Sequence, residues 1–143
     1  MTSAVRMLWE WAMQLAVTRE VLEFIEREAG LALPDECCGI LTGNGRSVTG
    51  AIAARNVHAS PANHFELEPQ ALIDAHRAAR SGGPAVLGYY HSHPNGLARP
   101  SKIDQAEAFG DGKIWAVIAK SEVTFWLDDP VGFSALSYSA TDG

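Results

Sequence analysis

Residues 89–104 read Tyr89-Tyr90-His91-Ser92-His93-Pro94-Asn95-Gly96-Leu97-Ala98-Arg99-Pro100-Ser101-Lys102-Ile103-Asp104. An apolar run from Ala85 leads into this stretch and predicts a strand that ends at Pro94, which has no donor for a ladder. His91 and His93 are two apart on that strand, so both point to one face, starting about 7 Å apart. That is close enough for both imidazoles to reach one ion. After a polar loop, Ser101 is predicted to cap a helix with Asp104 in its first turn. Two imidazoles and one carboxylate are a frequent ligand set for a catalytic zinc with an open fourth position. Water at such a position ionises near neutral pH and supplies hydroxide.

Working outward, Gln14–Val17 alternates as a short strand, and Thr18 can cap a helix over Val21, Leu22, Phe24, Ile25 and Ala29, with Gly30 as its stop. Cys38–Thr42 is a compact apolar strand, Gly43-Asn44-Gly45 a turn, and Ser47–Ala54 the hairpin partner. Residues 55–68 read as a loop holding a short strand at Phe65-Glu66-Leu67. Pro69 suits the first position of a helix reaching Arg80. Ser101 to about Phe109 is a helix, and Ile114–Ala119, Val123–Leu127 and Phe133–Tyr138 are three further strands. The predicted class is α+β, a mixed sheet flanked by helices. Residues 13–143 form one domain, and residues 1–12, which have no regular period, an N-terminal extension dispensable for chemistry. Docking of Trp9 and Trp11 on the domain, or on a second subunit of a homodimer, is the alternative.

A zinc hydrolase also needs a general base outside the metal's ligands. Glu36, at the mouth of the helix-to-strand connection Pro34-Asp35-Glu36-Cys37-Cys38-Gly39, is the candidate. Its apolar strand is expected to neighbour the histidine strand. Ser101 is placed to donate to the oxyanion of a tetrahedral intermediate.

The pattern H-x-H-P-x6-S-x2-D, filled by His91, His93, Pro94, Ser101 and Asp104, together with P-x-E-x-C-G around Glu36, resembles the JAMM motif of the MPN+ metalloproteases. Five fixed positions of ordinary usage match by chance on the order of once in ten million registers. The resemblance runs from Met13 to about Tyr138, and the Arg55-Asn56 pair and the Phe65-Glu66-Leu67-x-Pro69 segment are similar to the bacterial branch. It implies a single MPN/JAMM, cytidine-deaminase-like domain and a zinc peptidase or isopeptidase cutting after the C-terminal Gly-Gly of a ubiquitin-like protein. It also implies one zinc on His91, His93 and Asp104, with Glu36 as acid–base residue and Ser101 as stabiliser. The chain lacks the long insertions of the linkage-specific members. It is similar to minimal bacterial enzymes that trim sulfur-carrier proteins of the ubiquitin-like class.

Composition narrows the classes. The chain has 143 residues, with 11 Lys and Arg against 17 Asp and Glu and a net charge of −6. That balance argues against a nucleic-acid partner and against an anionic membrane surface. The most apolar terminal stretch, Met7–Val17, is broken by Glu10 and is far shorter than the roughly 20 residues of a span; it also makes a poor signal peptide. Adjacent Cys37 and Cys38 form no disulfide framework, which points to a reducing cytoplasm. Cys38 reads as a buried small hydrophobe, and His58, His64 and His76 show no ligand spacing. Trp115 and Trp126 fall on strands, as core or rim. A zinc deaminase needs H-x-E with a later P-C-x-x-C, which is absent. A RadC-like DNA-repair protein shares H-x-H-P, but Glu36-x-Cys38-Gly39 and the acidic balance favour the peptidase branch. A silent MPN interaction module is disfavoured because all five motif residues are present.

Overall fold

The computed structural model describes residues 14–143, so the expected extension at residues 1–12, with Trp9 and Trp11, lies outside the described residues. Strand β1 (Leu15–Thr18) leads into helix α1 (Arg19–Ala32). Thr18 caps the helix, its Oγ1 accepting the Val21 N–H at 3.2 Å. The helix does not stop at Gly30, where nothing crowds the backbone. It stops where Pro34 forces the preceding Leu33 out of helical geometry, to ψ 136°.

Strands β2 (Cys38–Asn44) and β3 (Ser47–Ala54) form the expected hairpin. Helix α2 (Pro69–Arg80) starts on its proline. The short strand expected at residues 65–67 reduces to a single bridge between Asn56 and Leu67. Strand β4 (Ala85–Ser92) carries His91 near its end, and helix α3 (Lys102–Glu107) follows the polar loop. Helix α3 is shorter than expected because the Asp128 carboxylate accepts the N–H groups of Phe109 and Gly110, at 3.2 and 3.1 Å, and pulls the backbone out of the helix. Strands β5 (Ile114–Ala119), β6 (Glu122–Asp129), β7 (Gly132–Leu136) and β8 (Tyr138–Thr141) complete the chain. Among the described residues no helix is long and apolar enough to cross a membrane.

The strands form one mixed sheet in the order β7-β6-β5-β4-β2-β3-β1-β8. The sequence suggests a single strand over residues 133–138. The structure divides it at Ser137 and sends the halves to opposite edges of the sheet. One residue advances the chain by only about 3.6 Å, so the sheet must curl until its edges approach. Tyr138 on β8 accordingly donates its hydroxyl to the Val123 carbonyl on β6 at 3.1 Å and packs edge-on to Phe125. The main core fills this curl around α1 and includes Val17, Ile25, Leu41, Tyr90 and Phe125. Helix α2 covers the other face through Ala75, against Ile40 and Val86. Gly39 is required where Tyr90 crosses β2: a Cβ there would run into the Tyr90 ring and the Ile52 carbonyl.

Candidate active site

The site is built at the end of β4. Strand alternation sends Tyr90 into the core around α1 and His91 to the opposite face. His93 lies just past the strand, its N–H donated to the Ile118 carbonyl of β5 at 2.8 Å. Asp104 comes from the first turn of α3, held by a reciprocal cap. The Asp104 N–H donates to Ser101 Oγ at 3.0 Å, and the Ser101 N–H donates to Asp104 Oδ2 at 2.9 Å.

Three side-chain atoms converge. His91 Nε2 lies 3.0 Å from His93 Nε2 and 3.0 Å from Asp104 Oδ2, and His93 Nε2 lies 3.1 Å from Asp104 Oδ2. All three residues are buried, at 0%, 8% and 4% exposure. Glu36 joins them at 6% exposure, with a carboxylate oxygen within 4.8 Å of a nitrogen of each imidazole. Its backbone is pinned from two sides. The Glu36 N–H donates to the Pro61 carbonyl at 2.8 Å, and Asn56 Nδ2 donates to the Glu36 carbonyl at 3.0 Å.

This donor set fits a zinc ion. Tetrahedral zinc holds nitrogen and oxygen ligands about 3.3 Å apart, close to the separations found. His93 Nδ1 donates to the Leu97 carbonyl at 2.8 Å, which fixes the ring and turns its Nε2 inward toward His91 and Asp104. His91 is held differently. Its ring stacks on Phe65, with centroids 4.3 Å apart, and meets Trp115 edge-on, while its Nδ1 is buried without a partner among the described residues.

The electrostatics follow from burial and contact. Burial pushes Glu36 up, and although His93 pulls it back, Asp104 and Glu107 add to the rise; it reaches about 7. Burial holds the His91 imidazole below its ordinary value, in the neutral form that ligates metal. Burial also pulls on His93, but the Asp104 carboxylate and the Leu97 carbonyl outweigh it and the net direction is up. Burial works against the Asp104 anion, yet hydrogen bonds from both histidines hold it well below the usual carboxylate range. The three share protons as one unit.

An open cleft of about 380 Å³ beside these groups is lined by Glu36, His93, Ser101, Asn63, Leu97 and Arg99, among others. The remaining histidines stay outside it: His58 and His64 stack on each other at 4.5 Å in the 55–68 loop, and His76 is exposed on α2. Burial pushes the Cys37 thiol up to about 11 and the Cys38 thiol up to about 12, so neither is a nucleophile at neutral pH.

The family profile "Prokaryotic homologs of the JAB domain" matches residues 18–129. The chain belongs to this JAB-domain family. Its curated relatives include the desampylase of Haloferax volcanii, 36% identical over 86 residues, 59% of this chain and 62% of that one. They also include the probable TtuB-protein conjugate cleaving protease of Thermus thermophilus, 38% identical over 94 residues, 66% of this chain and 63% of that one. The match thus spans somewhat under two thirds of each relative's length. Among solved structures, a Desulfitobacterium hafniense protein superposes with a TM-score of 0.80 at 27% identity, over 91% of this chain and 94% of that one. The structure described as the JAMM metalloprotease-like zinc site in the proteasome and signalosome superposes at 0.57 and 17% identity, over 90% and 98%, and supports the JAB/MPN fold.

Within this JAB domain the structure brings together all five residues the sequence singled out. It adds four groups that sequence reasoning passed over or did not connect to the site: Asn56, Phe65, Trp115 and the Leu97 carbonyl. Trp115 follows the ordinary apolar pattern and carries no signal of a site, and Phe65 stands out only as part of a segment similar to the bacterial branch. The Arg55-Asn56 pair was visible as a family trait, but its physical role needs the folded loop.

Proposed function

We propose that the chain is a zinc-dependent peptidase or isopeptidase that hydrolyses the bond after the C-terminal Gly-Gly of a ubiquitin-like protein, sulfur-carrier proteins included. The observation that carries the reading is the convergence of His91 Nε2, His93 Nε2 and Asp104 Oδ2 within 3.0–3.1 Å beside the buried Glu36. The names of the Haloferax and Thermus relatives support a substrate of the ubiquitin-like class.

In this reading His91, His93 and Asp104 hold the metal. Zinc, when bound, supplies Lewis-acid activation of water and of the scissile carbonyl. Glu36 serves as proton carrier in this reading: its carboxylate lies beside both imidazoles, and burial in the metal-free site already raises it to about 7, where it can accept and return a proton. It takes the proton of the attacking water and gives it to the departing nitrogen. Ser101 Oγ accepts the Asp104 N–H, which leaves the hydroxyl proton to be donated to the developing oxyanion. Residues 13–143 form the catalytic unit, and the two free cysteines suit a reducing cytoplasm.

The test is incubation of the purified protein with ubiquitin-like proteins carrying residues beyond Gly-Gly, followed by mass spectrometry. Cleavage after the second glycine, lost with a chelator and restored by zinc, is expected. A metal-loaded protein that cuts none of them would overturn the reading.

A further inference from the structure

Among the described residues, the cleft beside Glu36 contains one permanently charged cation, Arg99. The site otherwise offers the carboxylates of Glu36 and Asp104, and the chain as a whole is acidic. Arg99 forms no ion pair with any described carboxylate. Its side chain is exposed, but the backbone that carries it is fixed residue by residue. The Leu97 carbonyl that holds His93 Nδ1 also accepts the Arg99 N–H at 2.8 Å. The Ala98 carbonyl accepts the Thr124 hydroxyl of β6 at 2.7 Å, and Thr124 Oγ1 in turn accepts the Trp126 indole N–H at 2.9 Å. Pro100 and the capping residue Ser101 follow at once. The backbone that carries the guanidinium is thus tied to a site histidine, to β6 and to the helix cap, which fixes the point from which the side chain reaches into the cleft.

We infer that Arg99 is a specificity-determining residue that binds the free α-carboxylate of the departing residue, so that the enzyme favours a main-chain-linked residue at the end of a tail over a lysine side-chain link. The inference rests on the reaction proposed above. In that reaction the C–N bond breaks, the water oxygen bonds to the acyl carbon, and Glu36 passes the water proton to the departing nitrogen. When the departing group is a terminal amino acid, its carboxylate lies one Cα away from that nitrogen. Glu36, which serves the nitrogen, and Arg99 line the same cleft. A guanidinium binds a carboxylate through two parallel hydrogen bonds, a geometry that the fork of donors fits well. A departing lysine side chain presents only methylenes at that distance and leaves Arg99 without a partner.

The experiment uses the zinc-loaded full chain and three substrates on one ubiquitin-like body: a single residue after Gly-Gly with a free carboxylate, the same residue as its C-terminal amide, and a lysine isopeptide. The wild type is expected to favour the free carboxylate over the amide by about 10- to 100-fold in kcat/KM, mainly through KM, the range for a charge-assisted hydrogen bond. Arg99→Gln is expected to collapse that ratio to about 1, and Arg99→Lys to restore part of it. Cleavage of all three substrates with no discrimination, or a ratio untouched by Arg99→Gln, would overturn the role of Arg99 while leaving the peptidase reading intact. Cleavage of none by the wild type would overturn both.

Discussion

Cys38 on β2 stands directly opposite His91 on β4. Through that register Glu36, far from the histidines in sequence, enters their pocket. The connection is tightened by Cys37, whose N–H donates to Ser92 Oγ at 2.8 Å and whose carbonyl accepts the Ser92 N–H at 3.1 Å. The hairpin and the histidine strand therefore act as one frame for the carboxylate and the imidazoles.

Metal content tests the frame directly. Purified protein is expected to hold about one zinc per chain, and His91→Ala, His93→Ala and Asp104→Ala each to lower this sharply. Their thermal stability should fall too, because metal binding is coupled to folding. Full occupancy in all three variants, measured by elemental analysis, would remove these residues as ligands.

Much of this was legible in the sequence because it depends on local spacing. The strand period puts His91 and His93 on one face, and Ser101-x-x-Asp104 signals a helix start through capping chemistry that is local in sequence. What escaped depends on contacts made across the fold. The division at Ser137 follows from sheet closure, a property of all eight strands together. The end of α3 is set by Asp128, which is distant in sequence and reads there as an ordinary strand-end carboxylate.

Glu36→Gln separates proton transfer from metal binding. The amide is nearly isosteric but accepts no proton, so zinc should be retained while turnover falls by about 10² to 10⁴, the range for a general base. Loss of metal instead would make Glu36 a ligand.

The same variant should stabilise the metal-free protein at high pH. Glu36 titrates at about 7 in the fold against an ordinary 4.5, so between those values the folded state holds more protons than the unfolded state. Stability contributed by the protonated acid is therefore lost as pH rises through 7. Glutamine avoids that loss. In chelator-treated protein, Glu36→Gln should be more stable than wild type at pH 8 by about 1 to 3 kcal/mol, the upper figure being the full shift and the lower one allowing for solvent screening, and the difference should be much smaller at pH 5. Denaturant titrations at both pH values measure it, and an equal difference at both would contradict it.

Asn56 is the positioning residue for Glu36. Its Nδ2 donates to the carbonyls of Glu36 and His64, at 3.0 and 2.9 Å, while its Oδ1 accepts the N–H groups of His58 and Glu66, at 3.1 and 3.2 Å. Alanine removes both functions, and aspartate removes the donor. Both variants should keep their zinc and lose about 10-fold or more in kcat, with KM little changed, since small misplacements of a reacting group are costly. Wild-type kcat in Asn56→Ala would show that the loop does not position Glu36.

Zinc affinity should weaken as pH falls from 8 to 6. A ligating imidazole must be neutral, so a proton on either histidine competes with the metal. Burial lowers His91, whereas at His93 burial is outweighed by the Asp104 contact, which raises it, and the two take up protons as one unit with Asp104. Proton uptake by this unit sets the onset, and a dissociation constant flat across this range would refute it.

Substrate choice follows from the geometry of approach. In the proposed reaction the scissile carbonyl must approach the atoms presented by His91, His93, Asp104 and the Ser101 hydroxyl, and three of these four residues are at least 90% buried. Only a thin, extended chain can enter that far. Glycine has no Cβ to meet the walls and lets its backbone approach closely. The cleft of about 380 Å³ is small and open, so the folded body of the partner must supply much of the affinity. If the proposed function holds, the protein should therefore cut after Gly-Gly on a folded ubiquitin-like protein and barely act on the same tail as a free peptide. Replacing the last glycine with alanine should lower kcat/KM by about 10-fold or more, a cost of overpacking a tight site. Intact-mass assays over a panel of such proteins decide the matter. Cleavage elsewhere in the tail, or cleavage indifferent to Gly→Ala, would mean that some other feature selects the substrate.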